Sequence, residues 1–236
     1  MDFFISTKNR TDKEELMDDF SIGGDLLRDT LDKLENINRW LGGNLMTVKA
    51  LKKVLKNHPK EQELTIADIG CGHGDILRDV AKFGRKNGYK MKLIGMDANP
   101  TAIAYANELS TEFPELSFKT EDIFSEAFKN RKFDVVLATL FLHHFKEAQL
   151  TSFLGNTLKQ TKIGIVVNDL HRHKLAYYLF MLLSVFIKNN MIIEDGLTSV
   201  LRGFKRNELA HISKKLKVKP QISWKWAFRF QWILKY

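Results

Sequence analysis

Leu64-Thr-Ile-Ala-Asp68-Ile-Gly70-Cys71-Gly72-His73-Gly74-Asp75 is the stretch whose reading decides the fold. An apolar strand runs into three glycines at alternate positions, and a helix-like segment follows. Glycine has no Cβ, so the backbone of such a turn approaches a ligand closely while the first amides of the next helix point at it. The spacing, Asp-x-Gly-x-Gly-x-Gly, is neither the Gly-x-Gly-x-x-Gly of a dinucleotide site nor the Gly-x-x-x-x-Gly-Lys-Ser/Thr of a phosphate loop. It predicts a nucleotide-type cofactor cradle of a third kind.

Working outward, strands alternate with helices. A helix is expected from about Asp75 to Lys86, a strand over Met91–Met96 closing on Asp97, and a helix opened by Asn99-Pro100-Thr101. A short strand follows at Leu116–Lys119, then strands at Phe133–Thr139 and Lys162–Asn168, with a helix from about Lys146 to Gln160 between the last two. The strands are almost wholly apolar, as in a parallel sheet covered on both faces. The expected fold class is α/β, a doubly wound parallel sheet. Before it, apolar residues recur at three and four between Thr11 and Asn57, which predicts two or three amphipathic helices broken at Gly23-Gly24 and Gly42-Gly43. Residues 1–60 are therefore expected to be a helical cap, and 61–236 one domain.

Composition agrees with a single core. Of the 236 residues, 44% are hydrophobic, and no Pro, Gly or Ser-rich linker divides them. The single cysteine, Cys71, excludes an internal disulfide, and the start lacks the pattern of a secretion signal; a cytoplasmic location is expected. The net charge of +9 is concentrated late, since Glu208 is the only acid after Asp195.

The glycine turn resembles motif I of the class I S-adenosylmethionine-dependent methyltransferases, and the resemblance extends from about Leu64 to Asn168. It implies a Rossmann-like seven-stranded sheet of order 3-2-1-4-5-7-6 with the last strand antiparallel, and S-adenosyl-L-methionine as cofactor. Asp68 would then meet the cofactor's ammonium group, where a turn aspartate is the alternative. Asp97 would accept from the ribose hydroxyls, with Ala98 beside it. Asp122 and Ile123 would stand at the adenine. Gly70, Cys71, Gly72, Gly74 and Thr139 would complete the cradle. Arg39, in Asn38-Arg39-Trp40-Leu41-Gly42-Gly43, would clamp the carboxylate, unless it is simply an exposed arginine.

The acceptor side must come from the loops after the fourth and fifth strands. These carry Leu142-His143-His144-Phe145 and Asn168-Asp169-Leu170-His171-Arg172-His173. A hydroxyl acceptor has to lose a proton, a task suited to histidine. His171 is the first choice, with Asp169 orienting it; His143 is a second candidate, while the His143-His144 pair also reads as packing or capping. The histidine spacings match no common structural zinc pattern, so no metal is expected.

Leu175–Ile187 carries no charged side chain. It is too short to cross a bilayer and reads either as a core helix or as an apolar lid, placed within an insertion over 175–205. Together with Asp195-Gly196-Leu197 and Arg202-Gly203-Phe204, it resembles a bacterial branch near the quinone and phenolic-lipid methyltransferases. That implies a small hydrophobic phenolic, quinol or lipid-like acceptor methylated on oxygen, with peripheral membrane contact as a further expectation. The aromatic and basic alternation of Ser223–Tyr236 suits half-buried strands turning near Ala227. It also keeps open an RNA methyltransferase with a basic C-terminal face. Against nucleic-acid substrates, Cys71 is in the cofactor turn, and Ala138-Thr-Leu-Phe141 replaces the Asp/Asn-Pro-Pro-Tyr/Phe element of base-amino methylation.

Overall fold

The computed structural model describes residues 5–235. Seven strands form one sheet: β1 (Leu64–Ile69), β2 (Met91–Asp97), β3 (Leu116–Thr120), β4 (Phe133–Thr139), β5 (Thr161–Leu170), β6 (Gln221–Lys225) and β7 (Arg229–Leu234). Their order is β3-β2-β1-β4-β5-β7-β6, with β7 antiparallel to both neighbours. Parallel registers such as Leu64 against Met91 and Ile66 against Val135 align the carboxyl ends of β1, β2 and β4.

The apolar strands feed two cores in alternation, because successive side chains leave opposite faces of a strand. Leu64 and Ile66 of β1 and Val135 and Leu137 of β4 pack under α2 (Gly43–Val54) and α3 (Asp75–Asn87). Ala67, Ile69, Val136 and Ala138 pack on the other side against α5 (Glu126–Lys129), α6 (Glu147–Gln160) and α9 (Arg206–Lys215). The helix α4 (Pro100–Leu109) starts where expected, with the Asn99 side chain accepting from the amides of Thr101 and Ala102. The hairpin that closes the sheet turns through Ala227 and Phe228, both in the left-handed region.

Two expected boundaries move. Residues 1–60 are not one cap: Ala50, Leu51, Val54 and Leu55 are buried in the sheet core, so α2 belongs to the helical layer. Only the segment before it, ending in α1 (Gly24–Trp40), leans over the carboxyl ends of the strands. The segment expected as a lid splits as well. It forms α7 (Lys174–Ser184) and α8 (Asn190–Arg202), and only α8 reaches the cavity described next.

Candidate active site

A cavity of about 330 Å³ lies across the carboxyl ends of β1, β2 and β4, where the chain order of the sheet reverses. Ligands of open α/β sheets bind at such switch points. The glycine turn forms its floor. Gly70 and Gly74 have φ of +66° and +80°, and a Cβ on either would collide with Phe141 or with Phe118. The amide of Gly72 donates to Asp97 Oδ2 at 3.0 Å, and that of Asn99 to Asp97 Oδ1 at 2.9 Å, which fixes the carboxylate at the end of β2. Leu140 continues the lining from β4 with a φ of 52°, a strained backbone for a residue with a side chain.

This half of the cavity is short of positive charge. Asp68 is buried, its Oδ1 has no hydrogen-bond partner, and burial together with Asp75 and Asp97 pushes its carboxyl well above the usual range. Burial also raises Asp75 and Asp97. Three clustered carboxylates held this way call for a cationic ligand.

The other half is built from distant parts of the chain. The amides of Leu16 and Met17 donate to the Asp195 carboxylate at 2.6 and 3.0 Å, which folds a single 3-10 turn over the cavity. That turn delivers Glu15 and Asp18 to the two histidines after β4. His143 Nδ1 lies 2.7 Å from Asp169 Oδ1, and its Nε2 lies 3.5 Å from Glu15 Oε1. Burial alone would depress this imidazole, but Asp169 and Glu15 outweigh it and lift the pKa to about 9. His143 is therefore an imidazolium at neutral pH. His144 Nδ1 meets Asp18 Oδ1 at 2.6 Å, leaving Nε2 toward Glu15 Oε2 at 3.9 Å. Arg202 clamps Asp18 at 2.6 Å and the carbonyl of His144 at 2.5 Å. Arg10 donates to the carbonyls of His143, of Phe145 at 2.9 Å and of Arg202 at 2.7 Å. Glu15, His143 and His144 each offer one possible metal-ligand atom within 4.8 Å of the others. The Arg202 guanidinium already stands 3.7 Å from Glu15 Oε1, so a metal ion would meet a fixed positive charge there.

Residues 66–164 match a family described as "Methyltransferase domain". The match covers the glycine turn and the strands β1 to β4, and with the sheet order it gives these residues the fold of a class I, S-adenosylmethionine-dependent methyltransferase domain. The ubiquinone biosynthesis O-methyltransferase of Rickettsia canadensis is 28% identical over 58% of this chain and 56% of its own length. That of Rickettsia bellii is 26% identical over 58% and 55%. The match thus spans about half the length of these curated relatives. Among solved structures, the plantazolicin methyltransferase BpumL in complex with SAH shares the fold with a TM-score of 0.67, at 16% identity over 90% of this chain and 91% of that one. The magnesium protoporphyrin IX methyltransferase of Synechocystis with bound SAM gives 0.57, at 12% identity over 86% and 84%.

The glycine cradle fits S-adenosylmethionine, whose ammonium group would be the cation that the buried, unpartnered Asp68 carboxylate lacks. Asp68, Gly70, Cys71, Gly72, Asp97, Ala98, Ile123 and Thr139 all line the cavity. Gly74 does not; its left-handed turn and the close Phe118 ring set the direction of α3 instead. Cys71 is buried, and burial raises its thiol well above the ordinary value.

Three expected contacts are corrected. Arg39 is outside the cavity lining, its fork taken by Glu35 at 2.6 Å and Asp79 at 2.8 Å. Asp122 is exposed and accepts from the amide of Phe124, while Glu121, paired with Arg131, and Ile123 face the cavity. His171 is outside it too. Its ring packs on Phe230 and Phe228, Trp224 Nε1 lies 3.3 Å from its Nδ1, and burial, then His173 and Lys205, lower its pKa to about 4. Asp169, expected as the partner of His171, holds His143 instead. Between the two outward histidines, Arg172 is fully buried and binds Glu208 at 2.5 Å and the carbonyl of Thr7 at 3.1 Å.

Glu15, Asp18, Glu35 and Ser199 went unread as site residues. No local motif marks them; the fold alone brings them to the cavity.

Proposed function

We propose that this methyltransferase acts on an oxygen of a small hydrophobic acceptor of the phenol or quinol class. The carrying observation is the cavity lining, where the apolar Met17, Phe20, Phe124 and Phe145 occur together with the polar Glu15, His143 and His144. An aromatic acceptor would rest on the first set with its hydroxyl toward the second. The weak likeness to ubiquinone biosynthesis O-methyltransferases supports the same reading.

S-adenosylmethionine, when bound, supplies an electrophilic methyl group on a sulfonium. The chain's part is to orient the acceptor, exclude water and receive its proton. His144 lines the cavity with its Nδ1 on Asp18, and it is assigned as the general base that takes the acceptor's proton at Nε2. His143 remains protonated between Asp169 and Glu15 and stabilises the oxyanion that forms as the proton leaves. Glu15 lies between the two rings, its own carboxyl kept below the ordinary range by His143 despite burial.

The test is transfer from methyl-labelled cofactor to a catechol, a hydroquinone, a primary amine and total RNA offered separately. Label recovered as an O-methyl ether of the first two is the expected result. Label confined to the amine or to RNA overturns the assignment of the acceptor.

A further inference from the structure

The apolar segment after β5 is neither core nor lid. In α7 and the turn that continues it, Leu175, Leu179, Leu182 and Phe186 recur at helical spacing on the solvent side, with Leu182 65% and Phe186 80% exposed and Val185 beside them at 76%. The opposite side is pinned: Ala176 is buried, and the Phe180 ring lies so close to Gly196 of α8 that a Cβ there would collide with it. The tip of the β6–β7 hairpin extends this face. His171 N–H donates to the Phe228 carbonyl at 2.8 Å and the His173 ring stacks on Phe228 at 5.2 Å, which holds the tip against the residues leading into α7. Trp224 and Trp226 are exposed there, the latter by 73%. An apolar surface of this kind on a soluble fold marks an interaction site.

Charge decides what covers it. Lys174 and Lys188 bracket the apolar stretch and Lys225 lies between the two tryptophans, while no acid occurs from Leu170 to Ile193 or after Glu208. A second copy docked through this face would set lysines against lysines with no carboxylate to answer them. A bilayer surface offers hydrocarbon to Leu and Phe, the headgroup level to Trp, and anionic phosphates to Lys. We propose that α7 and the hairpin tip together dock on the surface of an anionic lipid bilayer, lying in the interface rather than spanning it. Among the described residues no helix is long and apolar enough to cross. The proposal holds whatever the methyl acceptor is.

The experiment is co-sedimentation of the full chain with vesicles of phosphatidylglycerol and phosphatidylcholine in equal parts, and with phosphatidylcholine alone. Binding to the anionic vesicles should exceed binding to the neutral ones by roughly tenfold or more, given about 1 kcal/mol per lysine near a charged surface. The double variant Leu182→Glu with Phe186→Glu should lose that binding by a similar factor or more, while its melting temperature and its heat of cofactor binding stay at wild-type values. Lys174→Glu with Lys188→Glu should remove the preference for anionic lipid. No sedimentation with anionic vesicles overturns the proposal, as does equal binding by the Leu182 and Phe186 variant. So does light scattering that shows a dimer, abolished by that variant, together with no vesicle binding; that result would assign the face to a second copy.

Discussion

Two histidine pairs follow neighbouring strands of this sheet, and their surroundings send them in opposite directions. His143 and His144 meet three carboxylates, and the imidazole of His143 is lifted to about 9. His171 and His173 meet aromatic rings and basic groups, and His171 falls to about 4. Both pairs stand near the carboxyl ends of strands, where catalytic groups are expected. Proximity to the carboxyl ends therefore does not set the state of a histidine here; the surrounding groups do, carboxylates for His143 and rings and cations for His171.

Removing the buried anion that holds His143 breaks the contrast most severely. Asp169→Ala leaves the His143 imidazolium buried without its strongest partner and should cost about 3–5 kcal/mol in urea unfolding. Next, His144→Gln should lower kcat roughly a hundredfold with the cofactor Kd unchanged by calorimetry, the scale of losing a general base; retained turnover would place proton removal elsewhere. The third effect is on pH. His143 binds its proton more tightly folded than unfolded, so this stabilisation is complete below about pH 6.5 and is lost as pH rises through about 9. Melting temperature should fall across that window, at most by about 1.4 kcal/mol of stability per pH unit, and His143→Gln should flatten the slope. The smallest effect sharpens the comparison from the other side: His171→Ala should leave turnover within about twofold of wild type, since surface changes remote from the chemistry move little.

The fold was legible because its signals are local. The period of β1, the glycines at 70, 72 and 74, and the Asn99-Pro100 cap each act within a few residues, while the strand order is what the methyltransferase resemblance implies. Most residues expected at the cofactor line the cavity and carry equally local marks, whereas the Asp122 carboxylate is spent on its own turn. Arg39 misled because the acids that claim it, Glu35 and Asp79, are ordinary in a helical pattern. The acceptor half was not legible. Glu15 reaches Ser199 Oγ at 2.7 Å and Asp18 reaches Arg202, pairings that link the start of the described chain to its last third. Periodicity predicted that Leu175–Ile187 would be helical but not which way it faces, since a helix apolar all round carries no direction.

The 3-10 turn at Leu16–Asp18 has a temporal consequence. Its residues are made well before Asp195, Ser199 and Arg202, which anchor it. Closing so wide a loop is entropically costly until the sheet exists to bring both parts together. A growing polypeptide can thus complete its glycine cradle well before the turn that faces His143 and His144 can settle, which waits for the segment around residues 195–202.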